Sequence, residues 1–194
     1  MKLWIKEPLA IFAPGLDASA GLLIEDGLIT AVLDRPPEHF DECFDASALV
    51  VLPGLINGHH HFYQTLTRAV PAAGNQGLFP WLEALYPIWA NLSPDDIFLS
   101  TQLAAAELLL SGCTTAVDHH YVFSEHLTNA TEIQIEAVTS LGLRSVLCRG
   151  SMSLGQSQGG LPPDRVTQSE ADILVHSQKM LEEHHDSNPG AMIQ

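Results

Sequence analysis

The first fifty residues combine short apolar runs with turn residues, a pattern typical of β-strands. A strand is predicted at residues 2–5, where Lys2 is followed by three apolar side chains, and two further apolar runs lie on either side of Asp26-Gly27 within residues 21–33. An Asp-Gly pair between apolar runs is a strong hairpin signal. Because Pro36-Pro37 and an acidic loop follow, residues 1–48 are predicted to form a small β-layer.

After Ala48 the pattern changes to alternating strands and helices. Residues 49–56 form a continuous apolar run, as expected for a buried strand. Ser93, followed by Pro94 and two acids, is typical of a helix N-terminus, and Gly112 ends that helix. The same criteria predict further strands at residues 114–118 and 144–148, helices at residues 125–141 and 169–185, and a fourth strand beginning at residue 191.

This alternation indicates a parallel sheet of the α/β class. A complete eight-stranded (β/α)8 TIM-like barrel needs about 250 residues. Residues 49–194 hold three βα units and the start of a fourth strand, so we expect the N-terminal part of such a barrel within a longer protein. A complete, small doubly wound domain is the alternative.

Charge and hydropathy exclude several classes of partner. The net charge is −15, and the eight Lys and Arg residues do not cluster, whereas nucleic-acid binding requires a basic surface. The longest apolar runs, such as residues 103–110, fall far short of the roughly 20 residues of a membrane span. The first eight residues also lack the features of a signal peptide. We therefore expect a protein of the cytoplasm that binds neither nucleic acid nor membranes.

The three cysteines, Cys43, Cys113 and Cys148, are odd in number and lie among apolar residues. They are predicted to be buried free thiols, in keeping with a reducing compartment.

The candidate chemistry lies in His59-His60-His61, directly after the strand predicted at residues 49–56. Side chains two residues apart on a strand point to the same side, so His59 and His61 project together and His60 faces away. Two converging imidazoles form half of a site for zinc or a similar divalent metal. In barrels of this kind the carboxyl ends of the strands line the active site. We therefore predict that His59 and His61 are metal ligands.

The segment Pro53-Gly54-Leu55-Ile56-Asn57-Gly58-His59-His60-His61 resembles the H-x-H motif of the amidohydrolase superfamily. The residues that continue it, through Gln64 and Arg68, are similar to the cytosine/guanine deaminase and triazine hydrolase branch. A closer likeness, to its aminohydrolases of oxidised purines, includes residues 85–89, 117–121, 149–155 and 159–164. The β-layer at residues 1–48 resembles part of that superfamily's composite β-sandwich domain.

The resemblance implies a hydrolase with one zinc ion per subunit, or an Fe²⁺ ion in its place. In that family a metal-bound hydroxide attacks the amidine carbon of a purine-like ring, and ammonia leaves. The implied substrate is a free heterocycle, with 8-oxoguanine expected. Triazine and pterin aminohydrolases of the same branch remain alternatives. The family's remaining metal ligands and its general acid/base are expected beyond Gln194. His176, His184 and His185 lie on or after the last predicted helix, so none of these ligands is assigned to them.

Other residues have two interpretations. Gln64 and Arg149 lie just past the ends of strands and are predicted to bind the substrate, although a loop role for Gln64 and an ion pair for Arg149 are alternatives. Core packing is favoured over stacking on a heterocycle for the helically spaced Trp81, Tyr86 and Trp89. Asp118-His119-His120, at the end of the second barrel strand, is interpreted as a pocket wall or a hydrogen-bonded scaffold.

A non-catalytic interpretation is also open. Because the chain holds two of the expected metal ligands, it is alternatively an inactive fragment or a weak metal-binding module. A homo-oligomer is a further expectation, since a long edge strand favours association.

Overall fold

The computed structural model describes residues 1–188 and 190–194. The chain divides into two compact units, residues 1–54 and residues 55–194. The first unit is thus six residues longer than the β-layer that the sequence predicts.

The first unit is built of strands. They are β1 (Lys2–Lys6), β2 (Ala10–Ile11), β3 (Gly21–Glu25), β4 (Leu28–Leu33), β5 (Glu42–Asp45) and β6 (Val50–Val51). Four of them form a sheet in the order β4-β3-β1-β5, and β2 pairs with β6. The predicted hairpin is present, because β3 and β4 are antiparallel and Asp26 and Gly27 both have positive φ, of 49° and 82°. Positive φ at both central residues is the geometry of a type I′ turn.

The second unit alternates parallel strands with helices, as predicted. Its strands are β7 (Leu55–His60), β8 (Cys113–His120) and β9 (Arg144–Arg149), and its helices are α1 (Leu78–Trp89), α2 (Pro94–Leu110), α3 (Ala130–Leu141) and α4 (Glu170–His184). The sheet order is β7-β8-β9, with both pairs parallel. Ile193 forms a parallel bridge to Ser145 on β9, which is where the predicted fourth strand begins. The chain is therefore a mixed α/β protein.

Local sequence signals explain where these helices begin and end. The Ser93 side chain accepts a hydrogen bond from the Asp96 backbone, and the Asp96 carboxylate accepts one from the Ser93 backbone. This capping box satisfies N–H groups that the first turn of a helix leaves free. Helix α3 ends at Gly142, whose φ of 75° is left-handed. Glycine adopts that conformation without the steric penalty of a side chain.

Three predictions need correction. The apolar run at residues 49–56 is two strands, because Val50–Val51 pairs with β2 in the first unit and β7 starts at Leu55. The helix predicted from residue 125 begins only at Ala130. Cys43 is exposed rather than buried, whereas Cys113 is buried and Cys148 partly so. Cys43 lies on β5, all four residues of which are exposed.

The second unit has two hydrophobic cores, and they meet just after the histidines. Phe62 belongs to a cluster with Ala104 and Ala105 of α2, while Tyr63 belongs to a cluster with Leu85 and Trp89 of α1. Both Phe62 and Tyr63 are fully buried, at 0% exposure. Consecutive side chains thus anchor the segment after β7 in two places.

Within the described residues, no helix combines the length and apolar character that crossing a membrane requires.

Candidate metal centre

His59 and His61 meet at the carboxyl end of β7. Their Nε2 atoms are 3.2 Å apart, and their rings stand almost perpendicular, at 82°. Two nitrogens of a tetrahedral zinc site lie about 3.3 Å apart, since each Zn–N bond is about 2.0–2.1 Å long. The pair therefore has the separation of two adjacent ligands on one ion, as the H-x-H spacing predicts.

A hydrogen bond from the neighbouring strand fixes the orientation of the His61 ring. Its Nδ1 atom lies 2.6 Å from the carbonyl oxygen of His119 on β8. A carbonyl only accepts, so Nδ1 carries the proton and Nε2 keeps its lone pair. Burial lowers the pKa of His61 by disfavouring the imidazolium. Metal-binding histidines generally have such a partner on the second nitrogen.

His60 faces the other way, as its position on the strand predicts. Its ring lies 5.1 Å from that of Phe62, centroid to centroid. Burial, and to a smaller extent the charge of Arg68, lower the pKa of His60. His60 therefore belongs to the packing behind the strand and not to the pair.

Asp118 is a hydrogen-bonded scaffold residue, as interpreted from the sequence. Its side chain is fully buried on β8. One carboxylate oxygen accepts the backbone N–H of Phe62 at 2.6 Å, and the other accepts Nε2 of Gln134 on α3 at 2.7 Å. Burial outweighs these bonds and raises the pKa of Asp118 to about 7.

A cavity of about 570 Å³ opens in front of His59 and His61. Its walls come from the carboxyl ends of all three strands and from one face of α1, and include the side chains of His119, Tyr121, Cys148, Trp81 and Tyr86. Trp89, in contrast, is in the core, and its indole N–H donates to Thr67. Trp81 and Tyr86 thus border the cavity, which the sequence interpretation did not favour.

Gln64 lies in this cavity, as expected for a residue that binds the substrate. Its Nε2 is 3.3 Å from the hydroxyl oxygens of both Tyr63 and Tyr121 and donates to them. Among the described residues, no group donates a hydrogen bond to Oε1 of Gln64, which therefore remains an acceptor for another molecule.

Arg149 is not brought to this cavity, in contrast to the sequence prediction. Its guanidinium donates to the Gly150 carbonyl, to Gln168 and to Nδ1 of His176 on α4. It also lies over the Phe123 ring, 4.2 Å from the centroid. Arg149 therefore ties β9 to the helical layer.

Strand alternation explains both this difference and the position of Cys148 at the cavity, which the sequence analysis missed. Arg149 pairs with His120 and Cys148 pairs with His119, and directly paired residues of parallel strands face the same side. His119 and Cys148 line the cavity, so His120 and Arg149 face the helices. The alternation along residues 117–121 and 146–150 was the available signal.

Gly150 allows the close approach of β8 and β9 at the cavity wall. A Cβ atom at this position would lie 2.7 Å from Cβ of Tyr121 and 2.9 Å from the His120 carbonyl oxygen. Any larger residue would displace Tyr121.

The described residues offer two imidazoles at the spacing of metal ligands, fewer than a metal site needs. No group of three or more His, Cys, Asp or Glu side chains suited to a metal occurs among residues 1–188 and 190–194. His176 and His184 lie on α4 and His185 follows it, so they do not join the pair. The donor set fits a divalent metal as one half of a larger site.

Comparison with known proteins identifies close relatives. The Amidohydrolase family model matches residues 50–192. An 8-oxoguanine deaminase from Pseudomonas aeruginosa is 52% identical over the whole chain, which covers 44% of that protein. A solved triazine hydrolase from Arthrobacter aurescens has a TM-score of 0.90 at 29% identity, covering all of this chain and 45% of that one. An atrazine chlorohydrolase from the same species, solved with zinc, has a TM-score of 0.87 at 27% identity, over 99% of this chain and 45% of that one. The chain thus spans less than half the length of these relatives.

The buried carboxyl of Asp118 makes stability depend on pH. Its pKa is about 7 in the folded chain, against an ordinary value of 3.8, so between these values the folded state binds more protons than the unfolded state. The contribution of this protonation to the free energy of unfolding is fully present below the unfolded-state pKa of 3.8. It is lost as the pH rises through the folded-state pKa of about 7. Relative to Asp118→Asn, the wild-type free energy of unfolding should fall by about 2 kcal/mol between roughly pH 5 and pH 8. Urea unfolding across this range measures the difference, and parallel curves would contradict the assignment.

Proposed function

Because the chain belongs to the amidohydrolase family, we propose that it forms the first part of the active site of a metal-dependent deaminase acting on 8-oxoguanine. Residues 55–194 are then the opening βα units of a (β/α)8 barrel, and residues 1–54 are part of a β-sandwich domain. The observation that carries the proposal is the His59–His61 pair, with its Nε2 atoms 3.2 Å apart.

His59 and His61 would hold the metal through Nε2. A divalent ion held there would supply Lewis acidity, which would lower the pKa of a coordinated water toward 7. The protein's own contribution is to keep His61 neutral and oriented, through burial and the His119 carbonyl. The remaining ligands and the general acid/base come from the part of the relatives' length that this chain does not match.

The cavity suits a flat heterocycle. Trp81, Tyr86 and Tyr121 give it aromatic walls, and aromatic rings pack favourably against planar molecules. Gln64 adds a carbonyl oxygen whose amide is held by two hydroxyl groups. A ring N–H of the substrate is the natural donor to this oxygen. The 52% identity to an 8-oxoguanine deaminase supports an oxidised purine as the donor.

A triazine is the second candidate substrate. The triazine hydrolase superposes on the whole chain with a TM-score of 0.90. Both candidate substrates require the same pair of histidine ligands, and they differ in the groups that would contact the ring. The substrate therefore has to be determined by assay.

Metal content and ammonia release test the function. Both are measured on this chain and on the protein that includes the sequence following Gln194 in its reading frame. We expect the longer protein to hold about one zinc per subunit and to release ammonia from 8-oxoguanine, and the 194-residue chain to do neither. Release from a triazine or pterin in its place would change the substrate and keep the mechanism. A longer protein without metal would refute the proposal.

Removal of one imidazole should abolish metal binding. In the longer protein, His59→Ala leaves the ion with a ligand missing, and we expect its zinc content to drop to a small fraction of the wild-type value. Elemental analysis after dialysis measures this. The matched control is His126→Ala, because His126 is exposed and contacts Glu125 at the surface. Equal zinc content in the two variants would disprove the ligand assignment.

Gln64→Leu should weaken the reaction without removing the metal. Loss of one hydrogen bond to a polar substrate corresponds to about 10- to 100-fold in kcat/KM. Steady-state kinetics on 8-oxoguanine and the zinc content are measured together.

Gln102→Leu serves as the control, since the Gln102 side chain donates a hydrogen bond to Ser140 on the surface between α2 and α3. An unchanged kcat/KM in Gln64→Leu would show that Gln64 does not contact the substrate.

A further inference from the structure

We propose that Asp118 is a positioning residue for the His59–His61 pair and that its carboxylate sets how tightly the protein binds its metal. This inference rests on the proposed function, since it requires the two histidines to be ligands. Asp118 itself lies behind the strand and touches no metal or substrate.

The connection from Asp118 to the pair runs through the backbone. Phe62 directly follows His61, and its N–H donates to Oδ1 of Asp118 at 2.6 Å. This bond fixes the peptide that joins His61 to Phe62. The direction in which the His61 side chain leaves the backbone is therefore set partly by Asp118.

The next residue of β8 holds the same histidine from its other side. The carbonyl of His119 accepts the proton on Nδ1 of His61, at 2.6 Å. Asp118 and His119 thus restrain His61 at two points, one on its backbone and one on its ring. We call this pair of contacts the β8 clamp.

The clamp is anchored in a rigid part of the molecule. Oδ2 of Asp118 accepts Nε2 of Gln134, at 2.7 Å, and both side chains are fully buried, at 0% exposure. Gln134 lies on α3, next to the cluster that contains Phe62 and Val138. Because Gln134 of α3 donates to its second oxygen, the Asp118 carboxylate has little freedom to move. The position of the Phe62 N–H, which donates to the first oxygen, is restricted in turn.

Gln134 also suggests which substitution of Asp118 is tolerated. Its Oε1 atom is buried, and no described residue gives it a hydrogen bond. With asparagine at position 118, the asparagine oxygen can still accept from Phe62, and rotation of the Gln134 amide lets Oε1 accept from the new NH₂ group. Alanine offers neither contact and leaves the Phe62 N–H without a partner.

Zinc affinity of the longer protein, measured by competition with a chelator, tests the proposal. Partners behind metal ligands typically contribute about 10- to 100-fold to affinity. We expect Asp118→Ala to weaken zinc binding at least tenfold, and Asp118→Asn to remain within about threefold of the wild type. The cobalt(II) absorption spectrum, a readout of ligand geometry, should change in Asp118→Ala and persist in Asp118→Asn.

Met180→Ala separates positioning from general destabilisation. Met180 is buried on α4 and does not belong to the clusters that hold Phe62 and Tyr63, so this variant should unfold at a lower temperature and bind zinc normally. If Asp118→Ala does not fold, Asp118→Leu replaces it, because leucine fills the buried volume without providing an acceptor. Failure of both to fold, while Met180→Ala folds, would overturn the proposal in favour of a purely structural role.

The remaining outcomes are distinct from failure of the proposed function. If His59→Ala loses zinc while Asp118→Ala binds it within twofold of the wild type, this inference is wrong and the proposed function stands. If Met180→Ala weakens zinc binding as much as Asp118→Ala does, positioning is also refuted. If His59→Ala keeps its zinc, the proposed function fails at the ligand assignment, and the inference that rests on it fails too.

Discussion

The geometry at the carboxyl edge of the parallel sheet depends on how β8 holds the end of β7. Two hydrogen bonds of 2.6 Å reach across, from the Phe62 N–H to Asp118 and from the His61 ring to the His119 carbonyl. Both are buried or partly buried, where hydrogen bonds are stronger than in water. Without them, His59 and His61 would lie at the end of a strand with no fixed direction, and the 3.2 Å separation of their nitrogens would not be set.

Packing reinforces this constraint. The two residues that follow His61 insert into different hydrophobic cores, Phe62 beside α2 and Tyr63 beside α1. Tyr63 in turn places its hydroxyl against Gln64. Rotation of the chain after β7 would therefore disturb both hydrophobic cores. For the same reason, the side of the cavity that this segment forms is held in one position. A functional pair is most accurately held when the elements around it are rigid.

Features that depend on one strand or one helix could be predicted from the sequence, because the spacing of apolar and polar residues shows which side of that element each side chain faces. Alternation along one strand correctly placed His59 and His61 together and His60 behind them, and the capping box at Ser93 located the start of α2. Arg149 was predicted to bind the substrate, whereas its side chain faces the helices. Alternation along β9 places Arg149 and Cys148 on opposite sides, but only the pairing with β8 shows which of them faces the cavity. The run at residues 49–56 was predicted as one strand for a similar reason. Pairing with β2, and not hydropathy, separates Val50–Val51 from β7.

The bond between His61 and the His119 carbonyl has a consequence for which ion the proposed site would bind. The lone pair of His61 is directed by contacts inside the chain, so it is in place before any ion arrives. Imidazole nitrogens accept zinc, iron, nickel and copper alike, and a pair arranged in advance does little to distinguish among them. In the proposed site, metal identity would then be decided by the other ligands and by the supply of ions, and exchange of one ion for another would not require the chain to refold.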